Sequence, residues 1–285
     1  MNGKMLKLLR PKQWVKNIFV LVPLIFSRTF TDPLYVIKAL GAFMCFIAVS
    51  SGIYILNDII DIEKDRLHET KRFRPLASGE VSKEKAAVLM TVLLVIGFAA
   101  AFLININVVL CLAAYILMNI LYSLFFKKIV ILDIMIIAIG FVLRVITGAV
   151  AIKVYISSWV LLCSFFIALC LAAGKRKTEK TSLQESSTKH RKVLSYYTDE
   201  FLKGLIQISI TGTTITYSLY TILEYRVQSP MATILFVVFG LFRYMQLIFE
   251  DDEGRLPEEL ILSDKPLLLS IFLFGISWII IFLTL

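Results

Sequence analysis

Apolar runs long enough to cross a bilayer recur along this chain, and nothing else constrains its fold as strongly. About 20 apolar residues cross the hydrocarbon core as an α-helix, and inside lipid only helices and closed barrels satisfy their own backbone. Such runs fall at about 16–30, 36–60, 84–104, 107–126, 129–152, 156–173, 202–224, 231–249 and 266–285, nine in all. With 58% hydrophobic residues and a mean hydropathy of +0.82 in 285 residues, the chain is expected to be an all-α polytopic membrane protein forming one domain over 1–285. The basic N-terminus does not read as a signal peptide, because no small-residue cleavage site follows the first apolar run. Cys45, Cys111, Cys163 and Cys170 lie inside apolar runs without a C-x-x-C pair, as small hydrophobes with no disulfide or zinc site implied.

The charges fall on alternate connections. Residues 1–15 and the loops at about 61–83, 127–128, 174–201 and 250–265 collect most of the lysines and arginines, while the other side has little beyond Arg28, Lys38, Lys153 and Arg226. The positive-inside rule then places the N-terminus and the long loops in the cytoplasm and the C-terminus outside, as in a multi-pass plasma (inner) membrane protein. A net charge of +9 is therefore mostly topology plus an anionic ligand, and nucleic acid is not an expected partner.

The stretch Tyr54–Gly79, YILNDIIDIEKDRLHETKRFRPLASG, concentrates the chemistry. Asn57, Asp58, Asp61 and Asp65 follow helical spacings of three, four and seven, which place side chains on one face. Carboxylates grouped this closely repel one another unless a cation sits between them, and oxygen donors of this kind suit Mg²⁺, usually shared with a substrate's phosphates. Arg66, Lys71, Arg72 and Arg74 follow as donors for phosphate oxygens, with His68 in the same loop. The expectation is a Mg²⁺–diphosphate site at a membrane surface.

Elsewhere the opening RPKQWVKN is amphipathic. Trp14 suits the interface, while Arg10, Lys12 and Lys16 face headgroups or a ligand; Lys16 and Asn17 begin an apolar run, where charge is expensive. The fourth and fifth runs are joined by YSLFFKKIVILD, with Tyr122 and Lys127 at the cytoplasmic end. Asp133 and Arg144 are three helical turns apart on one face and should look into the bundle or a wet cavity, unless they pair structurally with other helices. Lys175 and Arg176 open a basic segment that is either a solvated stop signal or a phosphate contact. Asp199 and Glu200 suit the start of the seventh helix. Asp251 and Asp252 sit in an acidic loop read as a cytoplasmic rim or lid, and His190 as a solvated side chain. No P-loop, G-x-G-x-x-G, G-x-S-x-G or zinc spacing is present.

N-D-x-x-D-x-x-x-D at the end of the second run, followed by K-R-x-R-P, resembles the first motif of the UbiA superfamily of intramembrane prenyltransferases. That resemblance implies nine helices around a central cavity open to the cytoplasm and to lipid, with Asp58, Asp61 and Asp65 holding Mg²⁺. RPKQWVKN, YSLFFKKIVILD with Arg144, AAGKRKTE, SYYTDEFL and RYMQLIFEDDEGRLPEELILSDKPL extend the likeness over nearly the whole chain, toward the phosphoribosyltransferase branch that acts on decaprenyl phosphate. Members using a prenyl diphosphate commonly have aspartates four apart on the fifth helix. Here Asp133 is followed by Ile137, which suits the branch in which 5-phosphoribosyl 1-diphosphate is the donor and a polyprenyl phosphate the acceptor. The resemblance implies that Lys16, Lys71, Arg72 and Arg74 hold the donor's phosphates and that Asn57 supports a metal-bound water or a ribose hydroxyl. Lys127, Arg144 and Lys175 would seat the acceptor phosphate, with Tyr122 as a hydrogen-bond donor; Asn17, Arg66, His68, Asp133 and Arg176 complete the expected substrate contacts. It also points to a homo-oligomer, a trimer, and to a pentose such as arabinose destined for the cell envelope. Two alternatives stand beside it: a prenyltransferase acting on an aromatic or glycerol-phosphate acceptor, and a transporter, against which no inverted repeat is seen.

Overall fold

The computed structural model describes residues 3–67, 71–184, 192–225, 227–250, 255 and 257–284. His68, Lys189, His190, Arg191, Arg226, Asp251 and Asp252 lie outside them. The described chain is helical: α1 (Gly3–Leu8), a 3₁₀ segment (Pro11–Leu21), α2 (Val22–Phe26), α3 (Pro33–Ile60), α4 (Ile62–Arg66), α5 (Lys83–Ile104), α6 (Ile106–Leu124) and α7 (Leu132–Ile152). Then follow α8 (Ser158–Gln184), α9 (Asp199–Leu223), α10 (Ile234–Glu250), α11 (Pro257–Ser263) and α12 (Lys265–Thr284).

Polar residues between apolar runs set the helix ends. The Asp32 carboxylate accepts from the Leu34 amide ahead of Pro33, and Ser82 and Thr198 accept from Lys85 and Phe201, each satisfying an amide that the first helical turn leaves open. Asn105 ends α5 and accepts from Val108 to start α6, while its amide donates to the Val150 carbonyl at 2.9 Å.

Among the described residues, seven helices (α3, α5, α6, α7, α8, the segment Ser229–Glu250 containing α10, and α12) are long and apolar enough to cross a membrane. The expected first span at 16–30 takes another form. Pro11 opens an 11-residue 3₁₀ segment and Pro23 sits in the first turn of the 5-residue α2, so no long regular helix forms there. The expected seventh span is the 25-residue α9, long enough but too rich in Ser and Thr to stand with the other seven. Its Ser209, Thr213, Thr214 and Ser218 hydroxyls donate to carbonyls four residues back, which satisfies them within the helix.

The residues fall into two compact units. The first comprises 1–124 and 143–156, the second 125–142 and 157–285, so α7 gives its first half to the second unit and its second half to the first. The first has a core of Phe46, Val49, Ile53, Val108, Leu112 and Tyr115. Gly148 belongs to it by necessity: a Cβ there would stand 1.9 Å from the Val20 carbonyl oxygen, so the 3₁₀ segment lies directly against α7. The second packs Ile134, Ala173, Leu194, Tyr197, Ile206 and Ile248 together.

Candidate active site

The acidic motif closes the longest helix of the first unit. Asp58 lies in the last turn of α3; Asp61 ends it with φ −96° and ψ 10°, and α4 resumes directly after. The hydrogen-bond ladder survives the break, since the Asp61 amide donates to Asn57 and the Asp65 amide to Asp61. Asp58 and Asp65 are buried, at 4% and 5% exposure. Asp61 is more open and takes Lys64 at 3.4 Å. The expected stripe of three is therefore two buried carboxylates plus one at the helix break, and among the described residues no three His, Cys, Asp or Glu side chains gather as a ready metal site.

The cation between the buried pair comes from the loop that follows. Arg74 Nη1 donates to Asp58 Oδ1 at 3.1 Å and to Asp65 Oδ2 at 2.6 Å. Its delivery has a plain packing cause. Leu76 and Val81 are buried with Leu8, Ile55 and Ala86, the Val81 amide donates to the Pro75 carbonyl, and Gly79 turns the chain at φ +77°. The loop is thereby folded back on the end of α3 with Arg74 at its inner edge. Arg10 Nη2 also bonds Asp58 Oδ1, with its guanidinium 5.3 Å from the centre of the Tyr54 ring. Arg66 is turned onto its own loop, donating to the Ala77 carbonyl and pairing with Glu63, and Arg72 stacks on Phe73. Lys71 opens the short 3₁₀ turn Lys71–Phe73, and the Arg74 amide donates to its carbonyl. Asn57 Oδ1 accepts from Ser123 Oγ at 2.9 Å, which ties the motif to the end of α6 beside Tyr122.

The residues fit a divalent cation in chemistry: the donors are carboxylate and amide oxygens, and two buried carboxylates already hold one positive group between them. A metal bound there would share those oxygens with Arg74 and Arg10.

A second network in the same unit is organised by Arg144. It is buried, donates from Nε to Asn17 Oδ1 at 2.9 Å and from Nη2 to Tyr115 Oη at 3.2 Å, and lies 4.8 and 5.0 Å from the Phe46 and Tyr115 ring centres. Asn17 in turn donates to Ser50, so the 3₁₀ segment carrying half-buried Lys16 is pinned against α3. Trp14, expected at the interface, turns its indole N–H to the Leu9 carbonyl and Ser51.

Asp133 finds its partners in the second unit. Arg176 Nε donates to Asp133 Oδ2 at 2.8 Å, Tyr197 Oη donates to Oδ1, and Arg176 Nη1 also reaches Glu179. Asp133 and Arg176 are 0% and 1% exposed, so these two expected substrate contacts face each other. Though on one helix three turns apart, Asp133 and Arg144 serve different networks. Lys127 and Lys175 are half-buried in this unit. Thr198 caps α9, and Asp199 pairs with Lys180 at 3.0 Å. Arg10, expected to face headgroups or a ligand, instead reaches the acidic motif at Asp58, and Tyr197 is the functional candidate that sequence spacing missed; the signal available for it was the SYYTDE cluster.

The fold and the site define a class: an all-helical membrane protein with a buried acidic pair and an arginine loop at the end of one spanning helix. The chain belongs to the UbiA prenyltransferase family, whose pattern matches residues 18–261. It is 33% identical over 278 residues to decaprenyl-phosphate phosphoribosyltransferase of Mycolicibacterium smegmatis, covering 92% of this chain and 87% of that one. The protein of the same name from Corynebacterium glutamicum is 32% identical over 274 residues, covering 92% and 82%. In fold it is similar to a UbiA homologue from Archaeoglobus fulgidus bound to DMAPP and Mg²⁺, with a TM-score of 0.74 at 20% identity over 98% of this chain and 96% of that one.

Proposed function

We propose that this protein transfers the 5-phosphoribosyl group of 5-phosphoribosyl 1-diphosphate to a polyprenyl phosphate and releases diphosphate. The observation that carries the reading is the likeness, over nine-tenths of the chain, to enzymes named for that transfer. The Asp133 environment supports it: Ile137 stands where a second aspartate would extend an acidic cluster, and Arg176 already neutralises Asp133.

Mg²⁺ held by Asp58 and Asp65, with Asp61 at the helix break, would neutralise charge building on the diphosphate leaving group. Arg74 and Arg10, already at those carboxylates, and Lys16, Lys71 and Arg72 then bind the donor's diphosphate and 5-phosphate. Asn57, fixed by Ser123, faces a ribose hydroxyl. As the C1–O bond stretches, positive charge grows on the ribose ring and the buried carboxylates stabilise it. The acceptor phosphate, already ionised near pH 7, attacks C1 from the opposite face without a protein base. Lys127, Lys175 and Tyr122 seat that phosphate, and Arg144 orders Asn17 and Tyr115 within its own unit. Asp133 and Arg176 support this arrangement from within their own pair. The family match runs through both units, which supports one catalytic domain. Nine crossings then comprise the seven apolar helices, α9 and the N-terminal segment, around a cavity open to cytoplasm and lipid. The N-terminus and active site are cytoplasmic in a plasma (inner) membrane, the assembly is a homotrimer, and the product is a precursor of cell-envelope pentose.

The test gives purified protein polyprenyl phosphate, Mg²⁺ and labelled phosphoribosyl diphosphate, in parallel with a prenyl diphosphate and an aromatic acid. Label entering the lipid in the first reaction is the expected result. The family pattern and the DMAPP-bound neighbour favour prenyl transfer as the second reading; product only in the parallel reaction would establish it and overturn the first.

A further inference from the structure

Among the described residues, four other than glycine have positive φ: Arg10, Arg28, Ile131 and Lys153. Only Ile131 is β-branched, and at φ +72° it occupies a region such residues avoid, because Cβ crowds the following carbonyl. Packing of its side chain does not account for this, since Ile131 is 43% exposed. Its backbone does. The Ile131 amide donates to Tyr197 Oη at 2.8 Å, and its carbonyl accepts from the Ile134 and Met135 amides to begin α7.

Tyr197 is held in turn. It is 1% exposed, its ring stacks on Phe201 at 5.9 Å, and its hydroxyl donates to Asp133, whose other oxygen accepts from Arg176. Burial, with the hydrogen bond to Asp133, pushes this hydroxyl well above the ordinary tyrosine range, so it stays protonated and keeps donating. Just upstream, the 3₁₀ turn Phe126–Lys128 packs against the 3₁₀ turn Lys192–Tyr196 that leads into Tyr197.

We infer that Tyr197 is a positioning residue: its hydroxyl clamps the left-handed Ile131 and so fixes the approach of the Lys127–Lys128 turn to α7. The inference deepens the proposed function, because it acts through the acceptor-phosphate role given to Lys127 there. Asp133 and Arg176 thereby gain a role that needs no contact with substrate.

Tyr197→Phe keeps the ring and removes the clamp. In the full-length, detergent-solubilised chain, amide exchange across residues 129–133 should quicken by about tenfold or more, the effect of losing one buried hydrogen bond. In the transfer assay, KM for polyprenyl phosphate should rise about tenfold while KM for phosphoribosyl diphosphate holds, as expected when one phosphate contact is misplaced. Adding Ile131→Asn, a residue that tolerates left-handed backbone, should restore the acceptor KM. Unchanged exchange, or a lowered unfolding temperature with neither the KM change nor the rescue, would overturn the inference. If Tyr197→Phe does not accumulate, Ile131→Asn alone decides: a raised unfolding temperature supports the strained turn, an unchanged or lowered one refutes it. A wild-type chain with no phosphoribosyl transfer would defeat the proposed function, while the exchange measurement would still judge the clamp.

Discussion

Each unit buries carboxylates against arginine, but the two clusters are built differently. In the second unit Asp133 and Arg176 have side chains 0% and 2% exposed, and Tyr197 completes the carboxylate's shell. In the first unit Asp58 and Asp65 are also buried, at 5% and 7%, yet their partners Arg10 and Arg74 remain 28% and 30% exposed. A closed pair is costly to open, because either partner left alone is a charge out of water. A buried acid with half-solvated cations can exchange one positive group for another at much lower cost. The first arrangement suits architecture; the second suits a site that takes a metal and a diphosphate.

The largest effect that would break this contrast is on turnover. Asp65→Asn should lower phosphoribosyl transfer by about a thousandfold, in line with loss of a group that stabilises transition-state charge. Arg74 keeps Asp58 and its own contact with water, so the unfolding temperature in detergent should move little. A variant that loses its fold along with its activity would put Asp65 in the same class as Asp133.

Next comes the opposite profile. Arg176→Met leaves Asp133 buried beside neutral groups and should cost roughly 3–5 kcal/mol in denaturant unfolding. Arg74→Met, which removes a partly solvated guanidinium and leaves Asp58 its contact with Arg10, should cost distinctly less. Arg176→Met with Asp133→Leu should recover part of the loss, since removing both charges avoids the stranded one. Equal costs for Arg176→Met and Arg74→Met would erase the distinction between the clusters.

Arg10→Gln sharpens the account of the first cluster. Asp58 Oδ1 receives both Arg10 and Arg74, so losing one guanidinium should let Mn²⁺, read by electron spin resonance without substrate, bind more tightly. With donor present the same change should raise KM for phosphoribosyl diphosphate about tenfold, the order of one charge-assisted contact. If metal affinity falls instead, Arg10 supports the metal site and does not compete for it.

Much of this was legible because single residue types act locally. The spanning runs at α3, α5 to α8, α10 and α12 follow from apolar length, and the Asn57–Asp58–Asp65 motif from spacing along one helix. What escaped depends on contacts distant in sequence. Arg10 meets Asp58 across 48 positions and Arg176 meets Asp133 across 43, and no periodicity encodes either meeting. The same face of α7 carries Asp133 and Arg144, which a helical wheel cannot separate; partners from different units do. The form of the run at 16–30 was not legible from hydropathy, which does not register how Pro11 and Pro23 divert the chain into 3₁₀ and short α segments. The span expected at 202–224 forms as α9, and what apolar length does not show is that its hydroxyls are satisfied by its own carbonyls.

The smallest expected effect lies at a pair that joins two helices and belongs to neither cluster. Arg243 on α10 donates from Nε and Nη2 to Asp264, which also accepts from the Leu267 amide at the start of α12. The Arg243 hydrogen bond holds the Asp264 carboxyl below its ordinary range. A carboxylate whose pKa is depressed on folding stabilises the fold above its unfolded pKa of about 4, and that contribution disappears as pH falls through the lower folded value. Unfolding temperature measured from pH 6 downward should therefore decline less steeply in Asp264→Asn than in the unaltered chain below about pH 4. Because Arg243 is partly solvated, the difference should shrink in high salt. Its persistence there would mean that the pair is shielded as well as Asp133 and Arg176 are, and that partial exposure alone does not mark an exchangeable cation in this protein.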